Sequence, residues 1–229
     1  PEADDPPAYA LLDSTQTSFT IHGTFIHTPN GPCYQLSSPL DQRGPYFRVR
    51  RLGAKEAAQV GVAPISFDRG ATLYEVNDPP LLDNEYHMQG KRRSCLPGVL
   101  EIKYRSARGR WEVRHVARSG SGARGVEVLT RKCVGGGGRF GGKGLDRRRE
   151  RGVSEWKDAQ GRVVATEVVK GGEGEGEGVL VPTIELSGEL DQTWREVVLC
   201  LWAARLWVAF GVEKTAMMGG RYGDTRLVR

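Results

Sequence analysis

Lys91, Arg92 and Arg93 stand side by side in "QGKRRSC", and further on Lys103 and Arg105 alternate with apolar residues in "VLEIKYR". Side chains of this kind suit phosphate: the lysine ammonium acts as a point charge, and the guanidinium is a planar, two-pronged donor. If the two segments pair as a hairpin, with Arg108 and Arg110 in the next turn, several cations converge on one face able to hold a phosphorylated headgroup. An ordinary solvated strand face reads the same way. A second basic run, "DRRRERG", places Arg147, Arg148, Arg149 and Arg151 inside a glycine-rich stretch. It suits a nuclear import signal or a flexible nucleic-acid contact, with Phe140 as the one nearby aromatic, or else a solubilising loop.

Other chemistry finds little footing. His22, His27, His87 and His115 show no metal-ligand spacing, and His22 and His27 point to opposite faces unless Gly23 introduces a bulge. No metal site is expected. Cys33, Cys95, Cys133 and Cys200 form no CxxC pair, which favours reduced thiols in a cytosolic or nuclear protein over a disulfide framework or a zinc site. GxSxG, HExxH, a Walker loop and a GxGxxG opening a helix are all missing. No catalytic residue or cofactor is therefore assigned, and a non-enzymatic binding or adaptor role is expected. A net charge of +5 with a pI near 9.1 favours acidic partners: an anionic membrane surface or lipid headgroup first, nucleic acid second. No secretory signal is visible, so a cytoplasmic, membrane-peripheral or nuclear location is expected; the chain opens at Pro1 without methionine, which points to trimming or processing.

The elements that must position these residues are mostly strands. "SFTIHGTFIH" alternates apolar and polar residues as one half-buried strand bent or bulged at Gly23. "CYQLSSPL", "YFRVRRL", "ATLYEVN", "VLEIKYR", "RWEVRHVA", "GVEVLTRK", "SEWKDAQG", "RVVATEVV" and "VLVPTIEL" continue in the same style, with Arg48 and Arg50 facing water. "GAKEAAQV" allows two helical turns at most. Short turns between strands predict an antiparallel meander. Residues 1–13 read as a flexible acidic lead-in, 14–211 as one domain with glycine-rich loops near 134–152 and 170–178, and 212–229 as a mobile basic tail.

One helix stands apart. In "REVVLCLWAARLWVAF", every residue from Val197 to Phe210 except Arg205 is apolar, so the helix must be surrounded on all sides. Its apolar run of about fourteen residues spans roughly 21 Å, short of a bilayer crossing, and Arg205 argues further against lipid. Asp191 or Ser187 can cap its start and Gly211 can end it. Strands of six to eight residues make a wall of similar height. The fold class that follows is mainly β: a closed antiparallel barrel of roughly nine to twelve strands around a buried hydrophobic C-terminal helix. Arg205 is expected near a barrel mouth, snorkelling or bonded to a carboxylate or carbonyls.

Antiparallel strands closed by one greasy helix resemble the tubby C-terminal-like superfamily, which includes tubby proteins, phospholipid scramblases and LURP-one-related proteins. "WKDAQGRVVATEV", Trp156 to Val168, is similar to a strand–turn–strand of LURP-one-related domains in which Asp and Gly make the turn. "WREVVLCLWAARLWVAF" is similar to their closing helix. The likeness covers residues 14–211 in architecture. It implies binding rather than catalysis, with anionic phospholipid headgroups, phosphoinositides among them, as the ligand class.

Overall fold

The computed structural model describes residues 15–77, 85–105, 109–117, 125–134, 152–170 and 181–219; for 169–170 and 212–219 the backbone alone is described. Twelve strands follow one another: β1 (Ser18–His22), β2 (Phe25–Thr28), β3 (Gly31–Leu36), β4 (Tyr46–Arg51), β5 (Thr72–Asn77), β6 (Glu85–Gly90), β7 (Val99–Arg105), β8 (Arg110–Val116), β9 (Val126–Cys133), β10 (Gly152–Asp158), β11 (Val163–Lys170) and β12 (Val181–Leu186). Each pairs antiparallel with its neighbours in the chain, and β12 returns to β1, so the meander closes on itself and leaves no sheet edge.

Two of these strands depart from the sequence reading. The segment expected as one bulged strand is the β1–β2 hairpin, with His22 opposite Phe25 across the two residues Gly23 and Thr24. Gly23 has φ +59°, the left-handed geometry that a tight hairpin turn of the right twist needs at its first central residue. The hairpin also brings His22 and His27 together on one face, their rings 5.1 Å apart. The other addition is β6, whose Tyr86 and Met88 enter the core while His87 and Gln89 do not.

Strand alternation delivers the inner wall. Phe47, Val49, Val76, Met88, Ile102, Trp111, Val113, Trp156 and Ile184 are all almost fully buried. The long connection from β4 to β5 holds a short helix α1 (Ala54–Ala57) and a single 3-10 turn (Arg69–Ala71), and it folds back over the outside of β3 and β4. Gln35 Nε2 donates to the Ile65 carbonyl at 2.9 Å. Arg50, expected to face water, is 2% exposed because this flap covers it. Its guanidinium forks onto the Glu56 carboxylate at 2.9 and 2.8 Å and donates to Gln35 Oε1 at 2.7 Å.

Helix α2 (Gln192–Gly219) is enclosed by the wall over Arg195–Gly211. Asp191 caps it, accepting from the Trp194 amide at 2.9 Å. Every residue from Arg195 to Gly211 is buried, so no side of the helix meets solvent there. The wall touches it from opposite directions. On the β3–β4 side, the Tyr34 hydroxyl and Arg51 Nε both donate to Glu196 Oε1, at 3.1 and 2.5 Å, while Phe47 stacks on Trp207 at 5.2 Å. On the far side, Arg205 Nη2 donates to Glu167 Oε2 of β11 at 3.0 Å. In the ring of strands β4 and β11 are five steps apart one way and seven the other. Burial of Leu199, Leu201, Trp202, Leu206 and Trp207, at about 1.5–3 kcal/mol for a side chain of this kind, makes the helix the heart of the core.

Arg205 does bond a carboxylate, but it does not snorkel: it is 1% exposed, and Glu167 is shared with the buried Arg131. The wall supplies the counter-charge inside the barrel, so the guanidinium has no need to reach a mouth. The helix also runs past Gly211, the residue expected to end it. Gly211 lies close against Arg43, where an added Cβ would stand 2.9 Å from Arg43 Cβ. Glycine serves close packing here rather than a left-handed cap. Among the described residues no helix is long and apolar enough to cross a membrane, and none of the four cysteines is in a disulfide.

Candidate anion-binding site

The predicted cations do not gather as one patch. Glu85 pairs with Lys103 and Gln89 with Val99 across β6 and β7. Lys91, Arg92 and Arg93 therefore follow the end of β6 at one rim of the barrel, while Lys103 and Arg105 lie toward the other. Six residues of strand separate the level of Lys91 from that of Lys103, roughly 20 Å at about 3.3 Å per residue. Convergence fails because a hairpin strand long enough to span the barrel carries its two ends to opposite rims.

Most of these side chains are also engaged with carboxylates. Lys103 pairs with Glu85, which also contacts His87 Nε2 at 3.1 Å. Arg105 and Arg110 both bond Glu112, at 3.1 and 2.7 Å. Lys91 bonds Glu75 Oε1 at 2.9 Å, whose other oxygen takes Arg48 Nε at 2.6 Å. Arg92 donates to the Gly70 carbonyl, and Arg93 is exposed. Partial burial alone would raise the pKa of Glu75, Glu85 and Glu112, but the flanking cations outweigh it and hold all three below the ordinary glutamate value. The wall thus carries cation–carboxylate–cation ladders, in which each acid cancels part of the charge it sits between. The arginines of the second basic run, Arg147, Arg148, Arg149 and Arg151, and Arg108 lie outside the described residues.

A different set of arginines frames a cleft of about 370 Å³ on the outside of β4. Its floor is the outer face of β4. One bank is the β3–β4 loop and the other is the returning flap at Phe67 and Arg69. Arg43, Arg48 and Arg69 line it together with Ser37, Ser38 and Gln42, and no acidic side chain is among its described lining. Arg48 is held in place by Glu75 and by the Tyr46 ring, 5.0 Å from its guanidinium. Ser37 Oγ accepts from the Arg48 amide at 2.9 Å, which fixes the loop to the strand. Lys91 and Arg92 reach the same flank through Glu75 and Gly70. The flank therefore gathers Arg43, Arg48, Arg69, Lys91 and Arg92 against Asp41, Asp68 and Glu75, a positive excess of two. Hydroxyls, a carboxamide and forked guanidiniums around one hollow can grip a phosphate group.

Sequence reading took Arg48 for a solvated strand residue and passed over Arg43 and Arg69, since they are distant in the chain and isolated in their segments. The one available signal was the "Ser-Ser … Gln-Arg-Gly" stretch between two strands, a loop richer in phosphate-binding groups than a turn requires. The structure also sets Glu85, His87 and Glu101 with their ligand atoms within 4.8 Å of one another on the barrel wall. This cluster was missed because His87 and Glu101 meet only through strand register. The Lys103 ammonium already sits on Glu85, and Arg114 lies opposite Glu101, so the local charge is balanced and offers a divalent cation little attraction. Compared with protein-family models, curated proteins and solved structures, the chain matches none.

Proposed function

We propose that the protein is a non-enzymatic binding module whose Arg43–Arg48–Arg69 cleft receives the phosphorylated headgroup of an anionic phospholipid. One observation carries the reading: three arginines from two loops and a strand line one hollow of headgroup size whose described lining has no carboxylate. Lys91 and Arg92 extend the positive flank beside it and suit the surrounding anionic surface. The tubby-like resemblance of the Trp156–Val168 segment supports the same ligand class, and the net charge of +5 favours it.

Co-sedimentation with vesicles tests the proposal. Vesicles of neutral phosphatidylcholine, of the same lipid with phosphatidylserine, and of the same lipid with a phosphoinositide separate plain charge attraction from headgroup recognition. Phosphoinositide vesicles are expected to bind most tightly. A hydrogen bond to a charged group contributes about 1.5–3 kcal/mol, so Arg48→Gln or Arg69→Gln should weaken binding by roughly 10- to 100-fold. Lys103→Gln with Arg105→Gln, on β7 three strands away around the wall, should leave it unchanged. Equal binding by the Arg48 and Arg69 variants rejects the cleft, and equal binding to all three vesicle types rejects the ligand class.

A further inference from the structure

The loop that lines the cleft also grips the end of the buried helix. Gln42 and Arg43 contribute to the cleft lining, yet the Gln42 carbonyl accepts from Trp207 Nε1 at 2.7 Å. The Arg43 guanidinium donates to the Tyr86 hydroxyl at 3.0 Å and lies 5.6 Å and 5.9 Å from the centres of the Tyr86 and Trp207 rings. Arg43 also packs against Gly211 so closely that a Cβ there would stand 2.9 Å from its own. Trp207 and Gly211 belong to the buried Arg195–Gly211 stretch of α2, whose backbone continues as helix to Gly219. The same two residues therefore face a ligand hollow on one side and the helix on the other.

We infer that cleft occupancy and the hold on the helix end are thermodynamically linked through Arg43, so that binding a phosphorylated ligand loosens the last turns of α2. The inference rests on the proposed cleft. A phosphate in the hollow competes for the Arg43 guanidinium, and its charge outbids the tyrosine hydroxyl and two ring faces that are among that group's described partners. Once Arg43 turns toward the ligand, Gly211 and Trp207 lose the side chain packed against them, and the loop that carries Gln42 shifts with it. Linkage is reciprocal: whatever weakens the grip in the empty protein must tighten ligand binding by the same factor.

Hydrogen exchange on the full chain, with a soluble inositol polyphosphate as probe, tests the linkage apart from the cleft. Saturating probe is expected to speed amide exchange several-fold in residues 207–219 while leaving β7 to β9 unchanged. Arg43→Ala without probe should speed the same amides, and adding probe should then change them no further. Trp207→Phe keeps the stack on Phe47 but deletes the bond to Gln42; it should tighten probe binding by roughly three- to tenfold, the worth of one neutral hydrogen bond. If the wild-type protein binds the probe but exchange at the helix end stays constant, the linkage is wrong and the cleft stands. Unchanged affinity in Trp207→Phe also overturns it. If the probe does not bind at all, the cleft reading fails and the linkage with it. Should Trp207→Phe fail to fold, Arg43→Ala alone decides, since an unaltered helix end in that variant shows that Arg43 grips nothing.

Discussion

Glutamine in place of Glu167 is the sharpest test of how the barrel holds its helix. Glu167 is fully buried and accepts from Arg131 of β9 and from Arg205 of α2. Trp156 Nε1 lies 3.5 Å from the same carboxylate, and Arg131 also donates to Ser154 Oγ at 2.9 Å. Glutamine preserves the shape and one acceptor but removes the negative charge, leaving two guanidiniums in the core without the carboxylate they share. Breaking a buried ion pair from one side costs about 3–5 kcal/mol. That is a large part of the roughly 5–15 kcal/mol that keeps a domain folded. At about 2–4 °C per kcal/mol for a chain of this size, the melting temperature should fall by roughly 6–20 °C. Thermal and urea unfolding, followed by circular dichroism, measure it. A companion variant with Arg131→Met, Glu167→Leu and Arg205→Met should recover most of the loss, because a well-packed apolar replacement of the whole set avoids the desolvation of all three charges. Glu167→Gln within about 1 kcal/mol of the parent would refute the claim that this triad pins the helix.

Two further outcomes follow from the same geometry. Gly211→Ala should cost about 1–3 kcal/mol in urea unfolding, since its Cβ meets Arg43 Cβ at 2.9 Å. Glu75, Glu85 and Glu112 are held below the ordinary glutamate value of 4.5, so their share of stability is fully present above about that pH and is lost as pH falls through their lower folded values. The urea midpoint should stay level in this respect from pH 7 to 5 and drop below pH 4.5, and the drop should shrink when all three are changed to glutamine.

Much of the architecture was legible because two demands in the sequence have one joint solution. A helix apolar on every side needs a complete wall, and strands with one apolar face need a core. What escaped notice was local. "EYHMQG" alternates properly but has no β-branched residue and ends beside a run of charges, so its Tyr86 and Met88 were overshadowed by the cations that follow. Arg50 reads as an outward residue, and it does point outward; only the return of the β4–β5 connection, thirty residues of sequence away from Gln35 at Ile65, converts that outward face into a buried one. In β11 the pattern is inverted outright: Ala165 and Glu167 face the core while Thr166 and Val168 are only partly covered. Ala165 sits opposite Trp156, where a small residue makes room for the indole, and Glu167 answers Arg131 and Arg205. Hydropathy reads each strand by itself and cannot see a charge arriving from the helix.

The site was less legible than the fold for a related reason. Consecutive cations such as Lys91, Arg92 and Arg93 catch attention in a sequence, yet neighbours along a strand or its end diverge in space, and a neighbour across the sheet can neutralise each of them. Register put Glu75 beside Arg48 and Lys91, and Glu112 between Arg105 and Arg110. The arginines that face one hollow instead come one at a time from positions 43, 48 and 69, brought together by a loop that bends back and a flap that folds over. Recognition of a compact anion requires donors converging from different directions. Separate backbone segments supply such directions more readily than a contiguous run does. The density of charge in a stretch of sequence therefore measures solvation better than convergence, and in this barrel the scattered arginines, not the clustered ones, line one hollow.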